Sequence, residues 1–165
     1  VPRHPRRGEE VARIAADAGL RVSRRAKGGR PLPSIDLYVA DTLGELGLFY
    51  RLCPLVFLGG SLVPHGGQNP IEPVRLDSAI LHGPHIHNFH EPYGALDQGE
   101  GARRVADEAE LLTAVGELVA DRHALAAMWA KGQAALLPFE GAVVRTFAVL
   151  EPYVAQMKLT ARERA

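Results

Sequence analysis

The stretch LVFLGGSLVPHGGQNPIEP, residues 55–73, joins a short apolar strand to the start of a helix through a glycine-rich loop. The glycines at 59–60 end the apolar run, and those at 66–67 let the backbone approach a ligand closely because they carry no Cβ. Pro70 suits the first turn of the following helix, where no N–H donor is needed. This combination predicts an anion site, with phosphate as the natural ligand.

The order of strand and helix recurs along the chain. We predict strands at residues 21–23, 35–40, 55–58, 79–82 and 103–106, and helices at 7–18, 43–52, 70–76, 88–97, 108–120, 123–136 and 143–157. Strands that alternate with helices indicate βαβ units, and therefore an α/β fold with a parallel sheet and helices on both faces. Ligands in such sheets bind at the carboxyl ends of the strands, where the glycine-rich loop lies.

Local signals complete this prediction. Asp41 and Thr42 are expected to cap the helix at 43–52. Asn88 is expected to cap the helix predicted at 88–97. Three apolar side chains of the predicted helix at 123–136 are expected in the core: Leu125, Met128 and Trp129.

Composition narrows the class of protein. The 165 residues are 47% apolar and 23% charged, which is typical of a folded globular domain. The 19 basic residues balance the 19 acidic residues, which argues against an electrostatically driven nucleic-acid binder. The single cysteine, Cys53, excludes an internal disulfide and is expected in the core. The sequence contains no apolar run of about 18 residues and no signal peptide.

The chain begins VPRHP without an initiator methionine, so we expect a fragment in which Val1 ends a strand that starts upstream. Arg3 and His4 would then follow that strand, as candidate contacts to phosphate or carboxylate. A solvated terminus is the alternative for both.

The loop of residues 58–73, called here the glycine loop, offers two kinds of group to a nucleotide. Ser61 and the backbone N–H groups near Gly60, Gln68 and Asn69 can donate to phosphate oxygens, whereas Glu72 can accept from ribose hydroxyls. The alternative is a turn shaped by packing alone. The loop is neither a Walker loop nor a GxGxxG fingerprint, so the residues by themselves predict a nucleoside phosphate and no particular base.

Other chemistry is less well supported. His82, His85, His87 and His90 lie close together, but HExxH and Cys/His zinc patterns are absent, so we expect a polar rim around a ligand cleft and no metal site. No Ser/His/Asp or Cys/His arrangement and no pair of poised carboxylates is recognisable. The chain therefore resembles half of a site.

Four motifs occur in order between residues 2 and 91: PRHPxR from Pro2, VADTLGELGLFY from Val39, FLGGSLVPHGGQNPIEP from Phe57 and GPHIHNFHE from Gly83. Together they closely resemble the carboxy-terminal half of 3-deoxy-D-manno-octulosonic acid (Kdo) transferases. That family resembles other GT-B glycosyltransferases, in which two Rossmann-like domains face each other across a cleft and the second binds the nucleotide sugar.

The resemblance implies that residues 1–165 form a single Rossmann-like donor-binding domain with a helical carboxy-terminal tail, and that the amino-terminal acceptor domain is absent. It implies inverting transfer of Kdo from CMP-Kdo to the lipid A precursor in lipopolysaccharide biosynthesis, at the cytoplasmic face of the bacterial inner membrane, without a metal or other cofactor. The general base would be a glutamate of the absent domain, which would also carry the acceptor lipid and the membrane contact. No catalytic residue is therefore expected in this chain, and the isolated domain is expected to be inactive.

Carried over by motif, Arg3 and the loop around Ser61, Gln68 and Asn69 would bind the CMP phosphate, and Glu72 would bind the ribose. The backbone at Gly60 and Gly67 completes the predicted donor site. Two alternatives remain open: the donor domain of another GT-B transferase or nucleotide-sugar epimerase that uses UDP or GDP, and a non-catalytic nucleotide-binding module. The base that the site selects would separate them.

Overall fold

The computed structural model describes residues 1–141, 146–154 and 156. The chain divides into two compact units, Val1–Cys53 and Pro54–Ala165, and each is described by itself. A single domain over residues 1–165 stays a prediction.

The first unit contains two helices and a small parallel sheet. Helix α1 (Gly8–Asp17) is followed by strand β1 (Val22–Arg24), strand β2 (Leu37–Val39) and helix α2 (Leu46–Leu52). Strands β1 and β2 pair in parallel, with Val22 opposite Leu37. Helix α1 packs against both strands. Within residues 1–21 the structure has no strand, so the one expected to end at Val1 stays a prediction.

The sequence predicts that helix α2 begins at residue 43, but in the structure it begins at Leu46. Gly44 has a φ of +80°, a left-handed conformation that interrupts a right-handed helix. Glu45 occupies the N-cap position without a side-chain cap. The prediction that Asp41 and Thr42 cap this helix is therefore wrong, since both side chains bond elsewhere.

The second unit is built on a three-stranded parallel sheet in the order β3-β4-β5. Its elements are β3 (Leu55–Leu58), α3 (Ile71–Arg75), β4 (Ala79–His82), α4 (His90–Gln98), β5 (Ala102–Arg104), α5 (Glu108–Ala120) and α6 (Arg122–Leu136). The predicted bounds of β3, β4 and α5 agree with the structure. Strand β4 is central and every residue in it is buried.

Successive side chains of a strand point to opposite faces, and both faces of this sheet are covered. Val56, Leu58 and Ile80 pack on one face in a cluster that includes α3 and α4. Leu55, Phe57 and Leu81 pack on the other face with α5. Helix α6 contributes to both clusters. This arrangement confirms the predicted parallel sheet with helices on both faces.

The carboxy-terminal helices are delimited by aspartates. Asp107 accepts a hydrogen bond from the Glu110 N–H at the start of α5, and Asp121 accepts from two N–H groups at the start of α6. Residues 146–154 and 156 are helical, so the predicted helical tail is present, although parts of the helix predicted at 143–157 lie outside the described residues.

Two expectations about the core have different outcomes. Met128 is buried, and Leu125 and Trp129 pack against the same cluster, which confirms their predicted place. Cys53 is exposed after α2, so its predicted place in the core is wrong. No helix among the described residues has the length and apolar character needed to cross a membrane.

Candidate functional site

The glycine loop folds back on itself. The Gly67 N–H donates to the Gly60 carbonyl at 3.0 Å, which brings the two glycine pairs together. Gly60, Gly66 and Gly67 have φ values of +71°, +97° and +73°, a region that other residues rarely adopt. The conformation of the loop therefore requires glycine at these three positions.

Ser61 anchors the first part of the loop to the end of β4. Its side chain is fully buried, and its hydroxyl donates to the Leu58 carbonyl at 2.5 Å and accepts from the Gly83 N–H at 2.8 Å. A hydroxyl has a single proton to donate, and here it is already used. The prediction that the Ser61 hydroxyl donates to a phosphate is corrected: this side chain positions the loop.

The second part of the loop is held from α4 and the turn before it. The Asn88 side-chain amide donates to the His65 carbonyl at 3.0 Å, and the Tyr93 hydroxyl donates to the Gln68 carbonyl at 2.8 Å. Asn88 therefore does not cap α4, whose N-cap residue is Phe89, and that prediction is wrong. These contacts fix the backbone of the loop over its whole length.

The loop ends where α3 begins, and this helix contains only five residues. The Asn69 side-chain oxygen accepts from the Ile71 N–H at 3.0 Å, so the helix start is already capped. The Ile71 N–H at the helix start and the Gly67 N–H in the loop are therefore both already bonded within the protein. Asn69 and Glu72 are both exposed on this side of the loop, and Gln68 is half-buried.

The four histidines that were expected to form a polar rim differ in their exposure to solvent. His82 is fully buried, His85 is half-buried, and His87 and His90 are exposed. The expectation of a polar rim is therefore wrong for His82. Within residues 1–141, 146–154 and 156, no group of three or more His, Cys, Asp or Glu residues is placed to hold a metal ion.

In the first unit, the segment that follows β2 carries two carboxylates that accept hydrogen bonds, Asp41 and Glu45. Asp41 accepts from the Ala26 N–H at 2.9 Å and from Arg24 at 2.8 Å. Burial alone would raise the pKa of the Asp41 carboxyl, but these hydrogen bonds outweigh it and the pKa is lowered. Glu45 accepts from Arg25 and Thr42, which lowers its pKa to about 2. Both carboxylates are therefore structural and ionised near neutral pH.

Arg3 lies in this first unit and is exposed. Its predicted role as a phosphate contact stays a prediction, because the glycine loop belongs to the second unit.

Comparison with known proteins gives three strong similarities. The chain is 33% identical over 155 residues to the 3-deoxy-D-manno-octulosonic acid transferase of Haemophilus influenzae, and 34% identical over 155 residues to that of Bordetella pertussis. Each alignment covers 93% of this chain and 36% of the relative. The crystal structure of the C-terminal CMP-Kdo binding domain of WaaA from Acinetobacter baumannii superimposes with a TM-score of 0.80 at 32% identity, covering 83% of this chain and 72% of that domain. The chain belongs to the Kdo transferase family.

The chain spans about a third of the length of each of these two Kdo transferases. It matches most of a solved carboxy-terminal domain from the same family. No protein-family model matches the chain. The fold inferred for a donor-binding domain of a GT-B Kdo transferase is confirmed by the sheet, the helices on both faces and this structural match.

Three residues that the sequence did not assign to the donor site hold the loop: Gly83, Asn88 and Tyr93. A Cβ placed on Gly83 would lie 2.3 Å from the Ser61 carbonyl oxygen, so only glycine allows the two loops to approach this closely. Asn88, in the segment HNF, and Tyr93 each form a hydrogen bond to a residue more than twenty positions away in the sequence. No local pattern indicates contacts at that separation.

Proposed function

We propose that this chain binds CMP-Kdo through the glycine loop and serves as the donor-binding domain of a Kdo transferase. The observation that carries the proposal is the similarity to a solved CMP-Kdo binding domain, which covers most of both chains. The loop geometry supports it, since the loop is held in one conformation by contacts from Gly83, Asn88 and Tyr93. In this assignment the glycine backbone, Gln68 and Asn69 face the phosphate and Glu72 accepts from the ribose.

The whole protein would transfer Kdo from CMP-Kdo to the lipid A precursor in lipopolysaccharide biosynthesis, with inversion at the anomeric carbon. The support is the name shared by the curated relatives. The acceptor is a lipid, so the whole enzyme would act at the cytoplasmic face of the inner membrane. We also propose that the reaction uses no metal ion.

The contribution of this domain to catalysis would be electrostatic. The CMP phosphate leaves as an anion when the anomeric carbon is attacked, and donors already oriented toward it stabilise the transition state. In this proposal the loop provides those donors, and the general base belongs to a part of the enzyme outside this chain.

Glu72→Ala tests the ribose contact. Removing a carboxylate that accepts from ribose hydroxyls should weaken CMP binding about 10- to 100-fold, the effect of one charge-assisted hydrogen bond. The measurement is calorimetric titration with CMP, with UMP and GMP as ligands that test the base. Glu108→Ala is a matched control, because Glu108 is also an exposed acid in the first turn of a helix and lies on α5. Equal CMP affinity in Glu72→Ala and Glu108→Ala would contradict the ribose assignment.

Asn69 needs a variant that preserves the start of α3. Asn69→Asp keeps an oxygen that accepts from the Ile71 N–H, but it replaces an amide donor with a negative charge. We expect this variant to fold normally and to lose CMP affinity by repulsion of the phosphate.

Tighter binding of UMP or GMP than of CMP by the unaltered chain would favour the UDP- or GDP-dependent alternatives. Binding of none of the three nucleotides would reject the proposed function.

A further inference from the structure

His82 is a buried ionisable side chain that the proposed function does not use. It ends β4 beneath the glycine loop, and its ring is inaccessible to solvent. Its Nδ1 lies 2.8 Å from the Gly83 carbonyl oxygen, and its Nε2 lies 2.9 Å from a carboxylate oxygen of Asp97. Both ring nitrogens therefore face hydrogen-bond acceptors.

Both contacts fix the orientation of the ring. The contact of Nδ1 joins the imidazole to the backbone of Gly83, and the contact of Nε2 joins it to the side chain of Asp97. Buried polar groups are nearly always paired in folded proteins, and here both ring nitrogens have a partner.

The same ring is connected to both ends of the loop. On one side, the Gly83 carbonyl accepts from His82, and the Gly83 N–H donates to Ser61 at the start of the loop. On the other side, the Tyr93 ring packs on the imidazole with 4.6 Å between ring centroids, and its hydroxyl donates to the Gln68 carbonyl. His82 therefore lies between the two contacts that hold the loop.

We propose that His82 is a positioning residue that holds the glycine loop in its nucleotide-binding conformation. The proposal rests on the proposed function, because it assigns the control of the same loop. His82 does not touch the ligand: it acts through Gly83 and Tyr93. Loss of the Nδ1 contact releases the Gly83 carbonyl and loosens the loop.

The charged and titratable groups around His82 are few. Helix α4 brings Asp97 and Tyr93, and β5 places Arg104 beside His82 in the strand register, with an exposed side chain. Strand β3 carries no charge. The turn after β4 contributes His85, which is half-buried. The buried residues of α3 and α6 are uncharged: Pro73, Val74, Met128, Gly132 and Leu136.

The test follows the loop at one pH, first without ligand. Hydrogen exchange of the Gly67 amide gives the opening of its bond to Gly60. A parallel titration gives the affinity for CMP. The reference variant is Asp97→Asn, which changes the partner of Nε2 and leaves the contact between Nδ1 and Gly83 in place.

We expect wild type and Asp97→Asn to show the same loop protection and the same CMP affinity, because both keep the contact to Gly83. His82→Gln should lose about tenfold in both measurements, the loss expected for one hydrogen bond. Loop protection and CMP affinity that are unchanged in His82→Gln would overturn the proposal.

Two substitutions separate the contacts of the ring. His82→Asn keeps a donor near the position of Nδ1 and should preserve loop protection through Gly83, whereas His82→Gln keeps a donor near Nε2 and should not. Equal protection in the two variants contradicts the proposal. If wild type binds no CMP while loop protection still follows His82, the proposed function fails and the positioning role stands. If CMP binds equally well to the two variants whatever their loop protection, the positioning role fails and the proposed function stands.

Discussion

At Gly83 the turn after β4 passes directly against the backbone of Ser61. A Cβ at this position would lie 2.3 Å from the Ser61 carbonyl oxygen and 2.6 Å from the Leu62 nitrogen, both of them backbone atoms. The same glycine donates its N–H to the Ser61 hydroxyl. A single hydrogen atom in place of a methyl group thus determines how closely the glycine loop approaches the central strand.

Gly83→Ala should displace the first part of the loop. Overpacking of this kind costs about 1–3 kcal/mol, and the displacement should also weaken CMP binding because Ser61 loses its hydrogen bond. Thermal unfolding and CMP titration of the same variant measure both effects.

The matched control is Gly94→Ala in α4. A Cβ at Gly94 meets no atom within 4 Å, so alanine should stabilise the helix by up to about 1 kcal/mol and leave CMP affinity unchanged. A Gly83→Ala protein as stable as Gly94→Ala, with unaltered affinity, would contradict the role given to the close approach.

The residue scale shows what the sequence can predict about the site. Glycines at positive φ are predictable, because Gly60 and Gly67 stand in a loop between a strand and a helix. The roles of Ser61 and Asn88 are not, because each could form several equivalent local hydrogen bonds and only the tertiary structure selects the partner. The sequence placed the loop correctly between β3 and α3 and assigned the side chains of Ser61 and Asn88 to the wrong contacts.

At the scale of elements, strands were predicted more accurately than helix starts. Strands β3 and β4 are short apolar runs bounded by proline, glycine and polar residues, and their limits follow from composition. Helix α2 started later than predicted because Gly44 adopts a left-handed conformation, and its caps were misassigned because Asp41 is used by β1 and the turn after it. A single sequence does not show whether such a side chain caps a nearby helix or bonds to a distant residue.

The ion pairs of the first unit make its stability depend on acid pH. The pKa of Glu45 is about 2 in the folded protein, below the ordinary value of 4.5, because Arg25 and Thr42 donate to it. A lowered pKa stabilises the fold above the ordinary value, and this contribution is lost as pH falls through the folded value. Wild type should therefore lose stability between about pH 4.5 and pH 2.

Glu45→Gln should reduce stability at pH 7 and flatten this acid dependence. Thermal unfolding at pH 7 and pH 3 gives the comparison. Asp17→Asn is a suitable control, because Asp17 forms only an exposed ion pair with Arg13 on α1, and such pairs contribute little. An acid profile of Glu45→Gln that parallels wild type would show that this carboxylate has no part in the stability of the first unit.

At the scale of the whole molecule, each of the two units is built around its own parallel sheet. Its family follows from similarity across most of the chain, and its glycine loop is built by contacts that are all within the second unit. The chain spans 36% of the whole relatives, so the acceptor, the general base and the membrane contact belong to the proposed function. Donor binding is the part of the account that this chain can test alone.

The most direct test is a map of backbone amide shifts of the unaltered chain on addition of CMP. We predict that the largest changes fall within residues 59–72, with smaller changes at Gly83 and Tyr93. A separate cavity of about 340 Å³, lined by Val74, Arg75, Gln133, Ala134, Leu136, Leu137 and Glu140, lies elsewhere in the second unit. Shifts confined to that cavity, or no shifts at saturating CMP, would contradict the claim that the glycine loop binds the nucleotide.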